Sequence, residues 1–125
     1  METNNKSKTL PHIIAVDFDG TLCENAWPDI GEANLDLIVY LRWQQNRGTK
    51  VILWTCRTGD KLDDAVRWCA NRELYFDAVN ENIPEAVEYF GDECRKIFAH
   101  VYIDDRASTP EEYKELLGLI SKFHI

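Results

Sequence analysis

The sequence predicts an α/β fold with a single doubly wound parallel sheet and helices on both of its faces. Two observations support this prediction. Short apolar runs rich in β-branched residues alternate along the chain with segments whose apolar residues recur at helical spacing. About 10 to 15 helical residues separate successive runs, a length that suits right-handed crossovers between parallel strands.

The first predicted strand covers residues 12–18, where the apolar string HIIAVDF runs into a turn sequence. The first predicted helix covers residues 32–47, with Gly48 as its expected C-cap. Its predicted apolar face consists of Leu35, Ile38, Val39, Leu41 and Trp43. Between this strand and this helix we expect at most a small flap, over residues 22–31.

The rest of the chain continues the alternation. Further strands are predicted at residues 50–55, 75–79 and 99–103, and further helices at 60–72, 84–90 and 110–121. Asp60 is the expected N-cap of the second helix, and Pro84 suits the first turn of the third. The predicted domain spans residues 11–125, after a polar leader at residues 1–10 that is expected to be disordered.

The composition favours one domain and narrows the range of partners. A chain of 125 residues with 45% apolar content can form one buried core. Its formal charge of −8 disfavours a nucleic-acid polymer, although a bound cation would still allow a small anionic ligand. The four cysteines are scattered and read as free thiols, and no run approaches the roughly 20 apolar residues of a membrane span. We therefore expect a cytoplasmic protein.

Polar residues interrupt the apolar pattern where three predicted strands end. Asp17 and Asp19 end the first strand, Thr55 ends the second, and Asp104 and Asp105 follow the fourth. Because the carboxyl ends of parallel strands lie along one edge of a sheet, these side chains can converge. Carboxylates gathered there repel one another, and Mg²⁺ is the usual hard cation that compensates them. Taken singly, each aspartate could instead be a helix cap or a turn residue.

These strand-end residues resemble the signatures of the haloacid dehalogenase superfamily of phosphohydrolases. DFDGT at residues 17–21 resembles the first signature, and Thr55, which ends VILWT, matches the second. Lys96 is the best match to the basic third signature, and Asp104-Asp105 matches the acidic fourth. More narrowly, the strings LWTCR, AVRWC and YIDDR resemble a group of short bacterial and phage members described mostly as hydrolases.

The resemblance implies a catalytic role for each carboxylate. Asp17 would be the nucleophile that forms a phospho-aspartate, since a carboxylate is already ionised at neutral pH. Asp19 would protonate the leaving oxygen and then activate water. Because residues i and i+2 of a strand point to the same side, both carboxylates could reach one phosphoryl group. Mg²⁺ would be held by the carboxylates of Asp17 and Asp104 and by the backbone carbonyl of Asp19, with Asp105 acting through water.

The other matching residues would bind the phosphoryl group or the substrate. Thr55 would donate a hydrogen bond to a phosphoryl oxygen, and Lys96 would neutralise its charge, with Lys61 as the alternative lysine. The expected substrate-binding residues are Gly20, Thr21, Cys56, Arg57 and Arg106. Gly20 would allow a sharp turn beside the phosphate, and Thr21 would brace it. For the two arginines a surface salt bridge is an equal alternative.

As a whole, the resemblance implies a capless, Mg²⁺-dependent phosphomonoester hydrolase. The chain has no room for the cap domain that superfamily members usually carry. Substrate selection would then come from the loops, with Trp27 as one candidate contact, or from an adjacent subunit of a homo-oligomer. A small phosphorylated metabolite or nucleotide is the expected substrate, and a phosphorylated end of a nucleic acid or protein is the alternative. A signalling receiver domain and a catalytically silent phosphate-binding module are the competing classes.

Overall fold

The structure, a computed structural model, describes residues 9–91 and 97–104. Its strands are β1 (Ile13–Val16), β2 (Cys23–Ala26), β3 (Asp29–Ala33), β4 (Lys50–Leu53), β5 (Ala78–Val79) and β6 (Val101–Ile103). Its helices are α1 (Leu35–Asn46), α2 (Gly59–Ala70) and α3 (Pro84–Phe90). In these residues β2 and β3 form an antiparallel hairpin, and the other four strands form one parallel sheet in the order β5-β4-β1-β6.

The strand order reverses beside β1. From β1 the chain builds outwards through β4 to β5, and it then returns to place β6 on the other side of β1. Ile14 of β1 is therefore flanked by Val51 of β4 on one side and by Val101 of β6 on the other. In open α/β sheets ligands bind at such a switch point, outside the carboxyl ends of the strands.

Helices cover both faces of the sheet. Successive strand residues point to opposite faces, so Ile14 and Val16 pack on the side of α1 and α2, together with Leu41 and Ala65. Ile13 and Ala15 pack on the opposite side against α3, in the second core cluster, which includes Ile83, Ala86 and Ile52. This arrangement confirms the predicted doubly wound parallel sheet.

Helix α1 differs from the prediction at its start and in its buried face. Residues 32–33 belong to β3, and the helix begins after Asn34, whose Oδ1 accepts a hydrogen bond from the Leu37 N–H at 3.3 Å. The buried residues are Leu37, Ile38, Tyr40, Leu41 and Gln44, whereas Leu35, Val39 and Trp43 of the predicted face are exposed. Apolar residues lie nearly all round this helix, so hydropathy alone does not select the side that meets the sheet.

Several other boundaries shift by a few residues. The predicted strand 50–55 ends at Leu53, and Thr58 rather than Asp60 occupies the N-cap position of α2. At the end of α1 the C-cap is Arg47, and Gly48 follows it with a φ of 98°. Strand β5 is shorter than predicted, and just before it Asp77 pairs with Val51 through both its backbone N–H, which donates to the Val51 carbonyl, and its side chain, which accepts the Val51 N–H at 2.8 Å. The predicted third helix is confirmed as α3.

The two ends of the predicted domain are described only in part. Leu10, which the sequence assigns to the leader, packs at the edge of the second core cluster, so the folded region begins before residue 11. The predicted helix at 110–121 lies outside the described residues. Among the helices that are described, none combines the length and apolar character needed to span a bilayer.

Candidate active site

A cavity of about 220 Å³ lies at the carboxyl ends of three neighbouring strands. Asp17 follows β1, Trp54, Thr55 and Cys56 follow β4, and Asp104 follows β6, and all five residues line the cavity. Residues that are distant in sequence therefore meet at the switch point of the sheet.

Backbone contacts with β6 hold Asp17 in place. Its N–H donates to the Ile103 carbonyl at 2.9 Å, which continues the β1–β6 pairing for one residue beyond β1. Its Oδ1 accepts the N–H of Phe18 at 2.7 Å. The carboxylate of Asp17 thus has a defined orientation at the edge of the cavity.

Thr55 is held by Asn80, which follows β5. The Thr55 N–H donates to Asn80 Oδ1 at 2.8 Å, and the Asn80 N–H donates to the Leu53 carbonyl at 2.8 Å. Asn80 has a φ of 56°, a left-handed conformation that asparagine tolerates better than most residues. Thr55 Oγ1 accepts the Arg57 N–H at 3.2 Å, so the hydroxyl proton can be donated into the cavity.

Asp19 forms a two-pronged ion pair with Arg57 and is not among the residues that line this cavity. Arg57 Nε donates to Asp19 Oδ2 at 2.8 Å, and Nη2 donates to Oδ1 at 2.7 Å. The guanidinium is buried, with 2% of the residue exposed, and its hydrogen bond to Asp19 raises the pKa of Arg57. The salt bridge considered as the alternative for Arg57 is therefore present, with a partly exposed Asp19 as its partner, but the guanidinium itself is buried and not at the surface.

The alternation expected to bring Asp17 and Asp19 to one phosphoryl group does not apply to Asp19. Strand β1 ends at Val16, and the chain then turns, with the N–H groups of Thr21 and Leu22 both donating to the Phe18 carbonyl. Beyond the strand, side-chain direction no longer follows the pleat. In this structure the direction of Asp19 is set by Arg57.

One solved structure is similar to nearly the whole chain. It is that of a conserved protein from Bacteroides thetaiotaomicron, which is 35% identical over 91% of this chain and 93% of that one, with a TM-score of 0.71. The two chains belong to one protein family. No family model matches the chain, and no curated protein matches it either.

In this member of the family, Gly20 and Thr21 lie away from the cavity that Asp17 lines. They line a second cavity, of about 280 Å³, on the side of the β2–β3 hairpin. Gly20 has a φ of 82° and donates to the Cys23 carbonyl at 2.9 Å, so the predicted turn is present. The Thr21 hydroxyl is buried and has no hydrogen-bond partner among the described residues, whereas its carbonyl accepts from Asn34.

Of the remaining predicted residues, one lines the first cavity, two contact Arg57, and three lie outside the described residues. Cys56 is exposed and lines the first cavity. Trp27 lies at the tip of the hairpin, 58% exposed, with its ring centroid 4.9 Å from the Arg57 guanidinium carbon. Lys61 contributes its backbone carbonyl to Arg57 at 3.4 Å. The other predicted residues, which lie outside the described part of the chain, are Lys96, Asp105 and Arg106.

Trp54 and Asn80 are site residues that the sequence analysis missed. Trp54 forms one wall of the cavity, is 44% exposed, and contacts Tyr102 edge to face with ring centroids 5.4 Å apart. A large apolar residue directly before Thr55 was the available signal for it. The signal for Asn80 was weaker, because it is only a polar residue that follows a predicted strand.

The donors around the first cavity suit a hard divalent cation. Asp17 and Asp104 supply carboxylate oxygens, and Mg²⁺ commonly binds through one or two carboxylates while substrate oxygens and water complete its shell. Within residues 9–91 and 97–104, no three side chains of His, Cys, Asp or Glu are grouped as a metal site. The predicted set of Asp17, Asp104 and the Asp19 carbonyl needs only two such side chains.

The buried thiols are not suited to nucleophilic chemistry. Burial raises the pKa of Cys69 to about 12, and it also raises the pKa of Cys23. Both therefore remain protonated at neutral pH, and thiols react as thiolates. Cys23, Cys56 and Cys69 are free thiols, as predicted, and the fourth cysteine, Cys94, lies outside the described residues.

Proposed function

We propose that this chain is a Mg²⁺-dependent phosphomonoester hydrolase that forms a phospho-aspartate on Asp17, as in the haloacid dehalogenase superfamily. The observation that supports this best is the one cavity shared by Asp17, Thr55 and Asp104, which follow three different strands. The cavity lies at the switch point, where open α/β sheets bind ligands. Two carboxylates can coordinate a divalent cation, and a hydroxyl can donate a hydrogen bond to a phosphoryl oxygen.

In the first step a carboxylate oxygen of Asp17 attacks phosphorus. The bond between phosphorus and the leaving oxygen breaks, its electron pair stays on that oxygen, and an acyl phosphate remains on Asp17. The Phe18 N–H holds the nucleophilic carboxylate. The Thr55 hydroxyl, whose oxygen accepts the Arg57 N–H, would donate to a phosphoryl oxygen. Mg²⁺, held when bound by Asp17 and Asp104, would neutralise phosphoryl charge.

In the second step water attacks the acyl phosphate, inorganic phosphate leaves, and the Asp17 carboxylate is restored. Asp19 would take the proton of this water, after having protonated the leaving oxygen in the first step. Each of its oxygens accepts a hydrogen bond from Arg57 and has a further lone pair, on which a proton can be accepted and from which it can be given back. Lys96 would contribute positive charge in this proposal.

The expected substrate is a small phosphorylated metabolite or nucleotide. A cavity of about 220 Å³ admits a phosphoryl group with part of its leaving group, and the exposed indole of Trp54 offers an apolar wall. The chain charge of −8 opposes a long polyanion. The proposal also includes a cytoplasmic location. It further includes a homo-oligomer in which an adjacent subunit covers the cavity.

The test compares the wild-type protein with Asp17→Asn, which removes the nucleophile and preserves the side-chain volume. With p-nitrophenyl phosphate we expect turnover that requires Mg²⁺ and falls at least about 10³-fold in the variant. Asp36→Asn, on the exposed start of α1, is the matched control and should retain full activity. Substantial turnover by Asp17→Asn would refute the nucleophile assignment. Phosphate binding without turnover would favour the silent module, and a single stable phosphorylation would favour a receiver domain.

A substrate screen tests the chemical class. Sugar phosphates, nucleotides, phosphopeptides and end-phosphorylated oligonucleotides are compared at low and moderate salt. We expect a small phosphomonoester to have the highest kcat/KM. An oligonucleotide that is preferred by about tenfold, with a rate that falls steeply with salt, would replace the small-molecule proposal with the nucleic-acid alternative.

A further inference from the structure

Arg57 is the side chain whose arrangement the proposed reaction does not yet explain. A buried guanidinium keeps its charge and is costly to bury unless its donors are paired. Arg57 is 2% exposed, and Asp19 provides the opposite charge with both carboxylate oxygens. Removing either partner would leave the other charge in a partly buried place without compensation.

The other donors of Arg57 are also occupied. Nη2 donates to the Asp29 carbonyl at 2.9 Å, and Nη1 lies 3.4 Å from the carbonyls of both Pro28 and Lys61. With the two bonds to Asp19, all five N–H groups of the guanidinium have acceptors. Arg57 in this conformation has no donor left for a phosphoryl oxygen, so the predicted contact with substrate is not supported.

Two aromatic rings contact the same guanidinium. Its central carbon lies 5.0 Å from the ring centroid of Phe18 and 4.9 Å from that of Trp27. Planar stacking and a rigid fork of donors make arginine more directional than lysine. The hairpin, helix α2 and the turn after β1 together determine where the fork of Arg57 points.

Asp19 depends on this fork for its direction, because it lies past the end of β1. Arg57 is also linked to the cavity, since its backbone N–H donates to Thr55 Oγ1. One residue therefore connects a residue that lines the cavity with the carboxylate assigned to acid and base chemistry.

We propose that Arg57 is a positioning residue that acts on the reaction through Asp19. This inference rests on the proposed function, and it replaces the substrate contact that the sequence analysis expected of Arg57 with an indirect role. Loss of the fork should lower kcat, because Asp19 would no longer be held in one direction. KM should change little, because the fork does not contact the substrate.

A double-mutant cycle tests this role with p-nitrophenyl phosphate and Mg²⁺. Arg57→Met keeps a long side chain near the rings of Phe18 and Trp27 and removes all five N–H donors of the guanidinium. We expect it to lower kcat by about tenfold or more in the wild-type background, and by less than about twofold when Asp19 is already Asn. Arg57→Lys should restore part of the lost kcat, because an ammonium donates to one oxygen but lacks the fork. Urea unfolding of each variant identifies conditions under which all of them are folded.

The outcomes separate the positioning role from the proposed function. An equal loss of kcat in both backgrounds would show that Arg57 acts independently of Asp19. A raised KM with unchanged kcat would make Arg57 a substrate contact, and either result overturns the proposal. If Arg57→Met does not fold, the cycle is run with Arg57→Lys and judged by the same criterion. An inactive wild-type protein would remove the proposed function and the role of Arg57 with it, whereas an active protein with an additive cycle removes only the latter.

Discussion

Thr55→Val removes one hydroxyl from the cavity and preserves the branched shape of the side chain. In the structure Oγ1 accepts the Arg57 N–H at 3.2 Å, which directs its own proton towards another acceptor. A hydrogen bond to a charged group is worth about 1.5–3 kcal/mol, and each 1.4 kcal/mol is about tenfold. We therefore expect kcat/KM for p-nitrophenyl phosphate to fall about 10- to 150-fold.

The same substitution should also lower stability. The Arg57 N–H loses its acceptor, which costs about 1–3 kcal/mol, measured by urea unfolding with circular dichroism. Thr55→Ser is the matched control, because it retains the hydroxyl and should remain close to the wild-type rate. A Thr55→Val variant within about twofold of the wild type, or a Thr55→Ser variant as slow as Thr55→Val, would contradict the role of this hydroxyl.

Three further predictions concern the metal, the sheet and the thiols. Asp104→Ala should raise the Mg²⁺ concentration needed for half-maximal turnover at least about tenfold. In the wild-type protein Ca²⁺ should bind without supporting turnover. An unchanged Mg²⁺ requirement of the variant would exclude Asp104 as a ligand. Asp77→Ala leaves the Val51 N–H without its acceptor and should lower the free energy of unfolding by about 1–3 kcal/mol, whereas Asp77→Asn keeps an acceptor oxygen and should cost less than about 1 kcal/mol. Equal losses in urea unfolding would show that the hydrogen bond is not the cause. Because burial raises the pKa values of Cys23 and Cys69, both should remain protonated at about pH 8, so a thiol reagent should modify exposed Cys56 before either of them. Mass spectrometry that finds Cys69 modified as fast as Cys56 would contradict their burial.

Strands and helices with strong local signals were predictable. Strand β1 is wholly apolar, and α3 begins with Pro84 as its pattern indicates. The hairpin was expected only as a flap, because its strands CENA and DIGEA are short, largely exposed and not alternating. Without a buried face, a strand has no hydrophobic period from which to predict it.

Three of the residues expected at the site were predictable because they interrupt a strong hydrophobic pattern. Asp17, Thr55 and Asp104 are polar residues at the ends of apolar runs, and a parallel sheet brings such ends together. Trp54 and Asn80 were missed because a tryptophan or an asparagine in those positions also fits packing or a turn. Only the cavity wall and the hydrogen bond to Thr55 assign them to the site.

By itself the sequence determined the α/β class, the parallel sheet and the carboxylates at its edge, because these follow from periodicity and from where apolar runs end. Only the tertiary structure decided which face of α1 is buried, which strands neighbour β1, and where Asp19 points. The last depends on Arg57, thirty-eight residues further along the chain. Local pattern carries no information about such a contact, since the pairing of two charges depends on how the hairpin, the turn and α2 pack around them.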